Sequence, residues 1–152
     1  MKFRKITIIF TFIFLSSCGY EIVNNFENNK YQIKNLNFIG DKQVNSVLSN
    51  NLRKFSNNIN APRYFDLEII SKKERQISSK NASGNAETYK IKILVDFKIF
   101  ENKGLIKTKS FSRDITYNKL VSNFETNQYE KILVKDLANQ IIFDLNNYLQ
   151  SL

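Results

Sequence analysis

The chain has 152 residues, 42% of them hydrophobic and 24% charged, with a formal charge of +9; that length suits one domain around one core. With no histidine and a single cysteine, imidazole acid–base chemistry, intrachain disulfides and Cys/His zinc sites are excluded from the start. The basic excess persists when Lys2, Arg4 and Lys5 near the N-terminus are set aside, and it points to an acidic partner.

Those three basic residues precede an apolar run at residues 6–15, which leads into Leu15-Ser16-Ser17-Cys18-Gly19. Basic, apolar and small-residue regions in that order make a bacterial lipoprotein signal. The apolar run is too short for a hydrocarbon layer of roughly 30 Å. The chemistry implied is a thioether from diacylglycerol to the Cys18 sulfur, cleavage before Cys18 and acylation of the new amino group. Residues 1–17 are thus a signal peptide, 18–30 a lipidated tether and 31–152 a single domain. Two or three acyl chains hold a protein on a membrane where one does so only reversibly. Gly19, rather than aspartate, favours the periplasmic face of the outer membrane. Export argues against a nucleic-acid partner, and the lipid on Cys18 is the only expected non-protein group.

In residues 31–39, Tyr31 and Ile33 share one parity and Leu36 and Phe38 the other, so a strand with a bulge near Asn35 is predicted. Asp41 is placed to cap a helix whose Val44, Val47, Leu48, Leu52 and Phe55 form one apolar stripe. Phe65, Leu67 and Ile69 alternate with Asp66 and Glu68 in a second strand that runs into Lys72-Lys73-Glu74-Arg75. Residues 78–86, centred on Ser83-Gly84-Asn85, read as the turn of a long hairpin. The third strand is the cleanest: Tyr89, Ile91, Ile93, Val95, Phe97 and Ile99 alternate with polar residues, giving one buried face and one wet face. Asn102-Lys103-Gly104 turns the chain into a polar fourth strand, residues 105–117, suited to a sheet edge. Ser122-Asn123-Phe124-Glu125 has capping-box spacing. It opens a long helix with Leu133, Leu137, Ile141, Leu145 and Leu149 in one stripe, flanked by Ile132, Ala138, Ile142 and Tyr148. The order β-α-β-β-β-α predicts an α+β two-layer sandwich, a mostly antiparallel four-stranded sheet with two helices on one face.

No catalytic residue is assigned, and no Asp/Glu/Cys cluster has metal-ligand spacing, so the expectation is a non-enzyme. Asp66, Glu68 and Asp96 fall on polar strand faces. The remaining chemistry is cationic. Lys72, Lys73 and Arg75 lead toward the hairpin tip, and Lys107, Lys109 and Arg113 lie on the fourth strand; together they are the candidate contacts to an anionic partner. Arg113 shares parity with Phe111 and Ile115, so its fork is near an apolar face, as recognition of a phosphorylated amphiphile requires.

Cys18-Gly19-Tyr20, the element order, Gly84 with the alternating run at 89–100, and the stretches Arg113-Asp114-Ile115-Thr116-Tyr117-Asn118 and Asp136-Leu137-Ala138-Asn139-Gln140-Ile141-Ile142 together resemble the outer-membrane lipopolysaccharide-assembly lipoproteins, the LptE family. The resemblance spans the mature chain. It implies a non-enzymatic plug inside the LptD barrel, assisting barrel assembly and lipopolysaccharide delivery to the cell surface. In that role Ser83, Gly84 and Asn85 become candidate barrel contacts, and the basic residues candidate lipopolysaccharide contacts. The competing reading is a membrane-tethered periplasmic adaptor of a cell-wall synthase or lipid transporter.

Overall fold

The computed structural model describes residues 30–57 and 61–152. The expected signal, Cys18 and the tether up to residue 29 lie outside the described residues. The elements are β1 (Tyr31–Gly40), α1 (Lys42–Leu52), a 3-10 turn (Arg53–Asn57), β2 (Arg63–Lys80), β3 (Ala86–Glu101), β4 (Gly104–Asn118) and α2 (Asn123–Gln150). The sheet order is β1-β2-β3-β4. β1 and β2 are parallel, linked through α1, and the other two pairings are antiparallel. This is the α+β arrangement expected from the element order.

The parity switch in β1 has the predicted cause. Ile33 pairs with Phe65 and Asn35 with Asp66, so Lys34 is the extra residue of a bulge. That one-residue slip keeps Tyr31, Ile33, Leu36 and Phe38 on the core side despite their mismatched spacing. Asp41 then caps α1, its Oδ1 accepting from the backbone N–H of Gln43 at 3.0 Å and Val44 at 2.9 Å. Phe55, expected on the helix, falls in the 3-10 turn. There it stacks on Tyr31 with ring centroids 5.7 Å apart, so it still joins the core.

Buried residues of β2 and β3 share one parity: Phe65, Leu67 and Ile69 with Ile91, Ile93, Val95, Phe97 and Ile99. Against them lie Val44, Leu48 and Leu52 of α1 and Leu133, Leu137, Ile141, Leu145 and Leu149 of α2. Ile132, expected to flank this stripe, is exposed. The opposite sheet face carries cross-strand polar pairs instead, with Lys98 donating to Glu68 at 2.7 Å and Lys90 lying 2.9 Å from Asp114.

The β2–β3 hairpin is longer than its composition predicts. Residues 78–80 and Ala86 belong to strands, and the loop shrinks to 81–85, because Ser79 pairs with Thr88 and their hydroxyls bond at 2.8 Å. Cross-strand pairing here overrides turn-prone residue types. The β3–β4 connection is a two-residue turn, Asn102 at φ 51° and Lys103 at φ 67°. Two successive positive φ values match the right-handed twist of the flanking strands.

The domain has two distinct ends. Tyr31 pairs with Arg63, whose guanidinium forks onto Glu101 at 2.9 Å through each of two nitrogens, and Glu101 pairs with Gly104. The Tyr31 hydroxyl donates to Asn146 at 2.7 Å, so the last turns of α2 lie here too. This is the end at which the chain from Cys18 arrives. The opposite end holds the 81–85 loop and the start of α2, while Gly40, paired with Ser71, lies midway along β2.

Candidate functional site

The six basic residues singled out in the sequence do not share one surface. Lys72 is on the sheet face away from the helices, 2.6 Å from Glu74 and exposed. Lys73, Arg75, Lys107, Lys109 and Arg113 are on the helix-bearing side, as the β2–β3 and β3–β4 registers dictate. Lys73 donates to Gln43 at 2.7 Å and lies 3.9 Å from Asp41, tying β2 to the start of α1. The Lys109 ammonium sits 5.3 Å from the Tyr148 ring centroid. Lys107 is exposed on the edge strand.

The two arginines each bind α2. Arg75 lies over the Tyr89 ring at 3.8 Å, donates to Glu130 at 2.7 Å and reaches the Tyr117 hydroxyl at 3.3 Å. Arg113 donates to Asp144 and, at 3.1 Å, to the Ser112 carbonyl. Glu130 and Asp144 stand on opposite halves of the same helix, so two half-exposed ion pairs clamp it to β2 and β4. Each pair contributes about 0.5–1 kcal/mol after screening, and together they fix the helix register. Sequence reasoning missed the carboxylates. The available signal was their position at the margin of the α2 stripe, adjoining Leu133 and Leu145.

Tyr117 is buried beside this cluster and donates to Glu130. Burial first, and then the hydrogen bond to the Glu130 carboxylate, push its phenol from 10.0 up to about 12. Burial raises the Tyr31 phenol as well. Because the folded values exceed the unfolded ones, the stability linked to these groups is full below about pH 10 and is lost as pH rises through the folded values. Denaturation midpoints should hold from pH 8 to 10 and fall toward pH 12, with a shallower fall in Tyr117→Phe. Equal slopes in both proteins would remove Tyr117 from the linkage.

Ser83, Gly84 and Asn85 are brought together at the exposed hairpin tip. Asn81 organises the loop: its Oδ1 accepts from the N–H of Ser83 at 3.1 Å and of Asn85 at 3.0 Å, and its carbonyl accepts from Gly84 at 2.9 Å. Gly84 has φ +80° with open space where a Cβ would stand. The tip is therefore exposed and organised by its own hydrogen bonds, a good arrangement for presenting a loop to a partner.

Beside it lies an apolar feature not singled out in the sequence. Lys119 donates its N–H to Glu87 at 2.9 Å, which brings the loop before α2 against the hairpin base. Val121 is fully exposed and Phe124 is 70% exposed. A hydrophobic residue before an N-cap usually packs on an apolar residue in the first turn. Here that position is Thr126, whose hydroxyl instead serves the Leu120 N–H and the Ser122 carbonyl. That missing apolar partner was legible in the sequence.

Among the described residues, no helix is long and apolar enough to cross a membrane. No family model and no curated protein matches the chain. Solved structures do share its fold. Rare lipoprotein B from Shewanella oneidensis superposes with a TM-score of 0.58 at 18% identity, over 77% of this chain and 94% of that one. Lipoprotein B from Nitrosomonas europaea gives 0.55 at 11% identity, over 81% and 86%. A minor lipoprotein from Acinetobacter baumannii gives 0.52 at 17% identity, over 76% and 92%. At these identities the relationship is one of fold.

Proposed function

We propose that this protein is a lipid-anchored, non-enzymatic lipoprotein of the outer membrane that acts as LptE does, filling and assisting assembly of the LptD barrel for lipopolysaccharide transport. The observation that carries the reading is the fold shared with bacterial lipoproteins. The Cys18-Gly19-Tyr20 sequence after an export signal agrees with it. A sheet with one packed face and one polar, charge-paired face suits the water-lined interior of a large barrel. In this role the tip at Ser83, Gly84 and Asn85, with Val121 and Phe124 beside it, meets the barrel. Lys72, Lys107 and Lys109 supply contacts to anionic groups, while Arg75 and Arg113 also hold α2.

The test uses photocrosslinkers at Ser83, Asn85 and Val121 in cells. They should trap an outer-membrane barrel. Replacing residues 81–85 by a short turn should leave the melting temperature within about 2 °C, since the lost contacts are local and worth under ~0.5 kcal/mol. Barrel capture and surface lipopolysaccharide should nevertheless fall. Capture of a cell-wall synthase from these positions would instead make the protein a periplasmic adaptor.

A further inference from the structure

The end of the domain that receives the chain from Cys18 carries an unusual hairpin. Lys103-Gly104-Leu105-Ile106-Lys107 begins in the β3–β4 turn and places two apolar residues between two lysines. Leu105 is 56% exposed and Ile106 41% exposed. The register explains why: Phe100 pairs with Leu105 and Ile99 with Lys107, so Ile106 is an unpaired bulge residue and the in-out alternation breaks. The position is a sheet edge, where exposed apolar residues invite aggregation and are normally avoided. Glu101, the nearest carboxylate in the ladder, is held by Arg63 through both oxygens, and among the described residues neither Lys103 nor Lys107 is in an ion pair. The lysines are thus left to face an external anion.

We propose that the tip of the β3–β4 hairpin is a second membrane contact, with Leu105 and Ile106 entering the headgroup region of an anionic bilayer and Lys103 and Lys107 meeting its phosphates. This rests on the lipid-anchored reading and adds an orientation to it. Tyr31 lies at the same end, three strands from the hairpin at about 4.8 Å per strand. The chain from Cys18 to Tyr31 can span at most about 45 Å, so an anchored Cys18 keeps the hairpin within reach of the surface. Apolar residues flanked by lysines are suited to that boundary, where the side chains leave water and the ammonium groups stay at phosphate level. The hairpin tip at 81–85 then points away from the anchoring membrane.

The sequence contains no tryptophan, so Ile106→Trp makes a single fluorescent reporter at the contact, Leu105→Trp a second one, and Val121→Trp a control at the far end. The cell-made protein is reconstituted into vesicles of phosphatidylethanolamine with phosphatidylglycerol, or of phosphatidylcholine alone. Expected are blue-shifted emission and quenching by brominated acyl chains for Ile106→Trp on the anionic vesicles, and neither for Val121→Trp. Adding Lys103→Gln and Lys107→Gln should lower the ratio of docked to undocked hairpin roughly 25-fold, at about fivefold per lysine near an anionic surface. Mass spectrometry of the N-terminus tests the anchor separately. A chain with unmodified Cys18 is attached through that thiol, its only one, to maleimide-bearing lipid and read in the same way. Water-like emission from both hairpin reporters on attached protein overturns the membrane contact, as does equal quenching at the two ends. Burial of Ile106→Trp only when a barrel partner is added reassigns the hairpin to that partner.

Discussion

Gly40→Ala is expected to destabilise the domain by about 3–5 kcal/mol, the sum of a left-handed backbone penalty and a forced overpacking. Gly40 has φ +106°, and an added Cβ would stand 1.9 Å from the Ser71 carbonyl oxygen and 2.9 Å from its carbon. The obstacle is backbone of the neighbouring strand, so no rotamer change relieves it. Gly40 also sits where three elements meet. It pairs with Ser71, the next N–H, that of Asp41, donates to the Ser71 carbonyl at 3.2 Å, and Asp41 caps α1. The buried Ser71 hydroxyl is 2.7 Å from the Asn45 side chain. Separating the strands there disturbs the cap and this buried pair together. A loss of that size is a large fraction of a typical 5–15 kcal/mol and should lower Tm by roughly 10–20 °C. Gly84→Ala is the matched control, with a comparable φ and no steric neighbour; it should cost about 1 kcal/mol. Equal losses in the two variants would show that the approach to Ser71 is not what demands glycine at Gly40.

Features set by local chemistry were legible in the sequence. The bulge in β1 follows from a parity switch, the caps at Asp41 and Ser122 from side-chain oxygens placed before apolar periodicity, and the buried face of β3 from strict alternation. The inward position of Arg113 was legible too, since parity alone puts it beside Phe111 and Ile115. Its partner was not: Asp144 and Glu130 reach their arginines only once α2 lies on the sheet, 31 and 55 residues away along the chain. Treating the basic residues as a single patch likewise ignored the period of two that sends Lys72 to the opposite face from Lys73. Residues 78–80 read as a turn because their polarity says nothing about the strand they pair with. The Leu105–Ile106 exposure depends on a pairing slip in β4 that no alternation in that polar strand announces.

Ile141→Asp should remove most or all of the domain's stability at 25 °C. Ile141 is 0% exposed in the middle of α2, between Leu137 and Leu145 and against the buried face of the sheet. A carboxylate there either stays ionised without a counter-charge or takes up a proton, and with a buried acid's pKa forced up by 3–5 units the cost at neutral pH is about 4 kcal/mol, the ceiling set by protonating an ordinary aspartate at pH 7. Loss of the isoleucine side chain from the core adds about 2 kcal/mol or more. The core offers no compensation, because among the described residues no buried side-chain polar atom lacks a partner and waits for one. The total of about 6 kcal/mol or more is a large fraction of the usual 5–15 kcal/mol stability of a domain and equals the whole of it at the lower end. Ile132→Asp places the same charge on the same helix at an exposed site and should shift stability by no more than about 0.5 kcal/mol. Circular dichroism and proteolysis of the two variants give the comparison, and barrel capture should disappear with Ile141→Asp yet survive Ile132→Asp. In that pattern capture follows the fold, whereas in the 81–85 replacement the fold persists and capture falls. An Ile141→Asp protein that melts like the unsubstituted one would mean that α2 does not cover the sheet through this stripe, and the two-layer packing on which the site geometry depends would have to be abandoned.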